Sequence, residues 1–279
     1  MVGVMHRFIK AVGSGQKRAR DLTREEAREA MGLIADGKCE PVQLGAFLLA
    51  LRMKGEGGEE LAGFADALDE RSARGQSPPG TLDVDCHGDG HEGRRSALAE
   101  AASELARAGT PVLLRVDLGN RYAKHGLAES LAALGFDGRL DVARAERDLR
   151  ERRLAVLDLA TYCAPLERLC RLRPLFGVRT VAQTLCKLLD PLRASSRLAG
   201  VFHAPYLEPT ARAFALVAPS PALVVQALGG LPEATAGKHL PAARASSPST
   251  FKLDLRNTPE AAVALLRDAA GLSPLPVIV

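Results

Sequence analysis

The chain has 279 residues, of which 47% are hydrophobic and 25% charged, enough apolar matter for one large domain or for a small and a large one. Its formal net charge is only +4, which excludes the strongly basic composition that by itself signals a nucleic-acid partner, so any such role depends on how the charges are distributed. No stretch approaches the roughly 18 apolar residues that a membrane span needs, and the N-terminus lacks a long apolar run and a small-residue cleavage site, so a cytoplasmic protein with no membrane partner is expected.

Helices are expected over the first 73 residues. Ile9 and Val12 precede a turn at Gly13-Ser14-Gly15. Thr23-Arg24-Glu25-Glu26 reads as a capping box, in which the Thr23 hydroxyl accepts an orphan amide and Glu26 reaches back. Ala27, Ala30, Met31 and Ile34 share one face of the helix that follows, and Gly37 stops it. Pro41 starts another, with Leu44, Phe47, Leu48 and Leu51 at helical spacing. A third, over 58–71, carries Leu61, Phe64, Ala65 and Leu68. A helical unit this small leaves apolar surface uncovered, which predicts a homodimer through it. A turn-rich linker, Arg74-Gly75-Gln76-Ser77-Pro78-Pro79-Gly80, comes next.

Beyond the linker the pattern alternates. Strands are predicted at 82–85, 112–116, 154–157, 198–202, 222–226 and 251–255, and helices over 94–108 and 126–135. The stretch 234–249, rich in Ala, Ser and Pro, reads as a loop. Strands separated by helices imply an α/β fold: a small all-helical N-terminal domain plus a larger α/β domain, over 80–279, with a mostly parallel sheet. The five cysteines, Cys39, Cys86, Cys163, Cys170 and Cys186, form no C-x-x-C pair, and their odd number argues for reduced, mostly buried thiols rather than a disulfide framework. His87, Asp89, His91 and Glu92 invite a metal hypothesis, but Gly88, Gly90 and Gly93 make this segment a loop without an evident third ligand. A solvated turn with no metal is the expectation.

Several segments, in order, resemble the anthranilate phosphoribosyltransferase-like (glycosyltransferase family 3 type) proteins. They are Leu22-Thr23-Arg24-Glu25-Glu26-Ala27, the run from Gly45 through Met53-Lys54-Gly55-Glu56, Gly119-Asn120-Arg121, Gly177-Val178-Arg179-Thr180, Leu189-Asp190-Pro191-Leu192 and Gly230-Leu231-Pro232-Glu233. The resemblance covers nearly the whole chain. It implies the same two domains, with the helical one completed by about 160–192. Ala11-Val12-Gly13-Ser14-Gly15 and Gly177 through Leu188, with Lys187 inside it, are similar to the YbiB-like branch. That branch implies binding of DNA or RNA with little sequence preference by a homodimer. The chain ends soon after Pro274-Leu275-Pro276, earlier than the family pattern leads one to expect.

Against the family pattern, the phosphate machinery is depleted. The Gly-Thr-Gly-Gly-Asp loop is matched by Cys86-His87-Gly88-Asp89-Gly90, which keeps Gly88, Asp89 and Gly90 only. Arg94-Arg95-Ser96-Ala97 replaces a hydroxyl-rich element, and Asp117-Leu118 replaces a Lys-His pair before Gly119-Asn120-Arg121. Pro232-Glu233 leaves one carboxylate of the family's magnesium-binding pair. A reaction stabilised by charge on a diphosphate loses most of that stabilisation here.

Basic residues gather in its place. Between 144 and 197 there are twelve Arg or Lys and six Asp or Glu, a local excess greater than that of the whole chain. The candidate nucleic-acid contacts are Lys17, Arg18, Arg20, Arg94, Arg95, Arg121, Lys124, Arg168, Arg171, Arg173, Arg179 and Lys187. A cleft lined with arginines can track a phosphate backbone, since the guanidinium fork pairs with phosphate oxygens bidentately. Sequence-independent nucleic-acid binding by a degenerate transferase, with no cofactor, is therefore the leading expectation. The alternatives are an active phosphoribosyl or glycosyl transferase, which would require magnesium and phosphoribosyl pyrophosphate, and a protein-interaction scaffold.

Overall fold

The structure, a computed structural model, describes residues 3–15, 17–90, 96–124, 126–234, 238–255 and 260–278. Four helices open the chain: α1 (His6–Gly13), α2 (Arg24–Ala35), α3 (Pro41–Lys54) and α4 (Gly58–Asp69). The capping box forms: the Thr23 hydroxyl accepts the Glu26 amide at 3.2 Å, and Glu26 Oε2 accepts the Thr23 amide at 3.0 Å. Ala27, Ala30, Met31 and Ile34 are buried, as their spacing predicts, against Leu61, Phe64, Ala65 and Leu68 of α4. That packing is close enough to need a glycine, for a Cβ on Gly63 would lie 2.1 Å from the Arg24 carbonyl oxygen.

The rest alternates in the order β1 (Leu82–Asp85), α5 (Leu98–Arg107), β2 (Val112–Val116), α6 (Leu127–Ala133), α7 (Val142–Arg152) and β3 (Leu154–Asp158). Four short helices follow: α8 (Leu159–Tyr162), α9 (Ala164–Arg171), α10 (Arg173–Phe176) and α11 (Val181–Leu188). Then come β4 (Ser196–Val201), α12 (Leu207–Val217), β5 (Ala222–Gln226), β6 (His239–Arg244), β7 (Ser247–Asp254), α13 (Ala261–Ala269) and β8 (Val277–Ile278). These strands make one 8-stranded sheet in the order β3-β2-β1-β4-β5-β6-β7-β8. From β3 to β5 neighbours run parallel, and from β5 onward antiparallel.

The loop expected over 234–249 is corrected: β6 and β7 form an antiparallel hairpin there. Pro241 does not prevent it. Pairing with β5 begins at Ala242, so the missing proline N–H falls where that neighbour asks for none.

Alternate residues of the sheet feed two cores. Leu82, Val84, Val112 and Leu114 pack with α5, α6 and α13 on one face. Leu113, Ala155, Leu157, Ala199 and Val201 face α7, α9, α11 and α12, and the same cluster continues through Leu159, Tyr162, Leu166, Leu185 and Leu192 into the four N-terminal helices. Among the described residues no helix is long and apolar enough to cross a membrane. All five cysteines are free, and only Cys39 is not buried.

Candidate active site

The strand β1 puts Asp83 and Asp85 on the face that turns toward the helical domain, and both are fully buried. Arg115 of β2 and Arg197 of β4 flank Asp83. Arg115 Nε reaches its two oxygens at 2.7 and 2.9 Å, and Arg197 Nε lies 3.3 Å away. The two guanidiniums also donate to the carbonyls of Cys186, Lys187, Leu188 and Leu189 and so hold the C-terminal end of α11, whose partial negative charge suits them. Asp85 continues this polar spine. Its Oδ1 is 2.6 Å from His87 Nδ1 and its Oδ2 accepts Lys187 Nζ at 2.8 Å. Burial alone would raise the Asp85 carboxyl, but the Lys187 ammonium and His87 outweigh it and hold the group well below the carboxylate range. His87 Nε2 lies 3.5 Å from the Tyr162 hydroxyl. The expectation of a solvated turn fails at this residue, since His87 is buried and held by Asp85; His91 and Glu92 lie outside the described residues.

A cavity of about 280 Å³ opens above the spine, at the C-terminal ends of the parallel strands, where open α/β sheets take their ligands. Its walls come from both domains and include Arg52, Glu56, Asp89, Arg173, Arg179 and Lys187. A second cavity of about 280 Å³ shares His87 and Arg173 with it and adds Asn120, Arg121 and Tyr122. The loop after β1 reaches this place only because glycines face each other: a Cβ on Gly88 would lie 2.5 Å from the backbone of Gly230, and one on Gly229, where φ is +69°, would lie 2.1 Å from the Gly90 oxygen.

Five of the cations predicted to track a phosphate backbone, Arg20, Arg171, Arg173, Arg179 and Lys187, pair with carboxylates. Asp89 accepts Arg173 Nη1 and Nη2 at 2.8 and 2.9 Å, together with Arg179. Arg171 is held by Asp117, Glu167 and the Gly119 carbonyl. Arg20 makes a fork to Glu26 at 2.6 and 2.7 Å, and Arg168 caps the Ala35 carbonyl at 3.2 Å. Lys187 is buried on Asp85. Lys17, Arg18, Arg121 and Lys124 are exposed, and of these only Arg121 lines a cavity described here. Arg94 and Arg95 lie outside the described residues. Thus Arg173, Arg179 and Lys187 come together at the first cavity, Arg121, Arg171 and Arg173 at the second, while Lys17, Arg18, Arg20 and Arg168 belong to neither.

Glu56 was not singled out from the sequence. It is 6% exposed, lines the first cavity and leaves Oε2 without a hydrogen-bond partner. Burial, with Glu60 adding to it, pushes its carboxyl up to about 7. Only its place inside Lys54-Gly55-Glu56 could have drawn attention to it. Among the described residues no His, Cys, Asp or Glu cluster is arranged to hold a metal.

Comparison with known proteins agrees with this architecture. A family described as "Glycosyl transferase family, helical bundle domain" matches residues 6–72, and "Glycosyl transferase family, a/b domain" matches residues 81–254. The anthranilate phosphoribosyltransferase of Methylobacterium nodulans is 36% identical over 216 residues, 77% of this chain and 63% of that protein. That of Brevibacillus brevis is 38% identical over 218 residues, again 77% of this chain and 63% of the relative. The chain thus spans less than two thirds of the length of these curated relatives. The crystal structure of anthranilate phosphoribosyltransferase from Thermus thermophilus superposes with a TM-score of 0.75 at 25% identity, covering 94% of this chain and 81% of that one. The Saccharomyces cerevisiae enzyme in complex with PRPP and Mg gives 0.70 at 18% identity, covering 95% and 79%, a likeness of fold.

Proposed function

Because the chain belongs to the glycosyl transferase family, carrying its helical-bundle domain and its a/b domain in that order, we propose that it is a phosphoribosyl or related glycosyl transferase whose acidic small substrate sits in the cleft between the two. One observation carries this reading. Arg173 and Arg179 converge at the C-terminal edge of the parallel strands, where Arg173 already grips a carboxylate with both Nη atoms. A planar fork held in that geometry recognises a carboxylate or a phosphoryl group. The relatives named for transfer to anthranilate, itself a carboxylate, support the same chemistry.

The residues described do not fit a magnesium site. Asp89 is engaged by two arginines, and Glu233 Oε1 accepts the Ala97 amide at 3.2 Å. No step is assigned to a metal. What this chain contributes is a subsite for an anion, a buried imidazole whose Nδ1 is fixed by Asp85, and a cavity walled by both domains that limits water. Incubation with phosphoribosyl pyrophosphate, magnesium and anthranilate, with product followed by chromatography, tests the proposal. Product formation supports it; no product, together with no binding of either substrate, ends it.

A second reading is sequence-independent binding of DNA or RNA, as the similarity to the YbiB-like branch implies. The observation in its favour is that Lys17, Arg18 and Arg121 stand exposed without a carboxylate partner among the described residues. A gel shift at low salt with single- and double-stranded DNA decides it, since ionic contacts of this kind weaken steeply as salt rises. Under either reading the active form is a homodimer through the helical domain. Val42, Leu49 and Met53 lie on one stripe of α3 and are 84%, 40% and 85% exposed, with Leu175 of α10 at 82%.

A further inference from the structure

The cleft carries its own counter-ion. Besides Arg173 and Arg179, Asp89 accepts Asn120 Nδ2 at 3.2 Å. Its side chain is only 13% exposed. Burial alone would raise its carboxyl, but the hydrogen bonds from Arg173 and Arg179 prevail and hold it below the usual range. The backbone fixes it from both sides: its amide donates to the Gly229 carbonyl at 2.8 Å, and its carbonyl accepts the Lys124 amide at 2.8 Å. The two guanidiniums are in turn seated on rings, Arg173 at 3.8 Å from the Tyr122 centroid and Arg179 at 5.2 Å from that of Phe202. So the arginines are preorganised for an oxyanion, and the oxyanion present is supplied by the protein.

We infer that Asp89 acts as an internal competitor: an external carboxylate or phosphate group reaches Arg173 and Arg179 only by displacing the Asp89 side chain, so that the cleft is self-inhibited until such a ligand arrives. This rests on reading the cleft as a substrate site. The exchange makes and breaks no covalent bond. It trades one counter-ion for another, and the apparent affinity of the ligand falls by the fraction of molecules in which Asp89 has let go. The consequence is unusual for a carboxylate in a substrate pocket, because removing its charge should tighten binding of an anion. The same contact offsets one of the two positive charges that Arg173 and Arg179 bring into the cleft.

The test uses the full chain with Asp89→Asn and, as a second variant in case the first fails to fold, Asp89→Ser, each checked by circular dichroism and thermal melting. Benzoate and inorganic phosphate are titrated calorimetrically into the wild type and both variants. The expected result is at least a tenfold gain in affinity in a folded variant for one of the two probes, with the preferred probe telling whether the natural group is a carboxylate or a phosphate. Adding Arg173→Met to the Asp89→Asn protein should abolish the gain. Wild type that binds a probe while the variants bind it equally or more weakly overturns the competitor role and leaves the cleft reading intact. Silence of both probes with Asp89 neutralised, together with a blank transferase assay, overturns both.

Discussion

Replacing Asp83 by Asn is the sharpest probe of the spine under the cleft. Asp83 is fully buried and, among the described residues, is the only carboxylate in hydrogen-bond contact with the guanidiniums of Arg115 and Arg197, each 1% exposed. The substitution conserves volume and removes one charge, leaving two buried cations with hydrogen bonds to the carbonyls at the end of α11 but no carboxylate in hydrogen-bond contact among the described residues. Breaking a buried pair by deleting one partner typically costs about 3–5 kcal/mol, because the surviving charge is stranded. At roughly 2–4 °C per kcal/mol for a chain of this size, the melting temperature should fall by roughly 6–20 °C. Thermal unfolding followed by circular dichroism measures it, with Asp137→Asn on the exposed surface as a control expected within about 0.5 kcal/mol of wild type. An Asp83→Asn protein that melts with the wild type would falsify the stranded-charge account.

Other expectations follow from the same geometry. Glu56, at about 7 in the folded protein against an ordinary 4.5, keeps its proton after the unfolded chain has lost it; stability is therefore full below about pH 4.5, declines across the interval to about 7, and is lower by about 3 kcal/mol above it, a slope that Glu56→Gln should remove in urea titrations run at several pH values. Thr23→Ala breaks the capping box and should cost about 0.5–2 kcal/mol, read by the same urea titration. Met53→Glu, at the C-terminal end of the exposed stripe of α3, should abolish the proposed dimer in light scattering without lowering the melting temperature of the monomer.

Much of the architecture was legible because local rules and tertiary packing agree. Thr23 and Glu26 sit at the spacing a capping box requires, and the box forms. The faces predicted for the helices of the first 70 residues are buried, apart from Leu44, which is half-buried. The hairpin of β6 and β7 was not legible. Pro241 and Pro248 and a run of Ala and Ser carry weak strand propensity, and what makes them strands is pairing to β5 and to each other, a long-range effect. Leu82-Asp83-Val84-Asp85 was recognised as a strand, but its alternation alone does not say what meets its polar face. That face is covered by α11, and the aspartates are buried on Arg115, Arg197, Lys187 and His87.

The site failed to read for a related reason. Along the segment 144 to 197 arginines and lysines outnumber acids. Electrostatics acts through space, and the balancing acids arrive from elsewhere in the chain: Asp83 and Asp85 from β1, Asp89 from the loop after it, Asp117 from the end of β2. Arg173 and Arg179 meet a carboxylate 84 and 90 residues away in sequence. A segment with a large local excess of positive charge therefore folds so that Arg171, Arg173, Arg179, Lys187 and Arg197 meet carboxylates from elsewhere in the chain, with Arg173 and Arg179 sharing Asp89. A strongly charged polymer gains most of its affinity from unpaired cations releasing condensed counter-ions, whereas a small acid gains it from a preorganised fork in a sheltered cavity. The fork of Arg173 on Asp89, set in a cavity walled by both domains, is the second arrangement, and it is on this ground that the transferase reading is proposed ahead of nucleic-acid binding at the same residues.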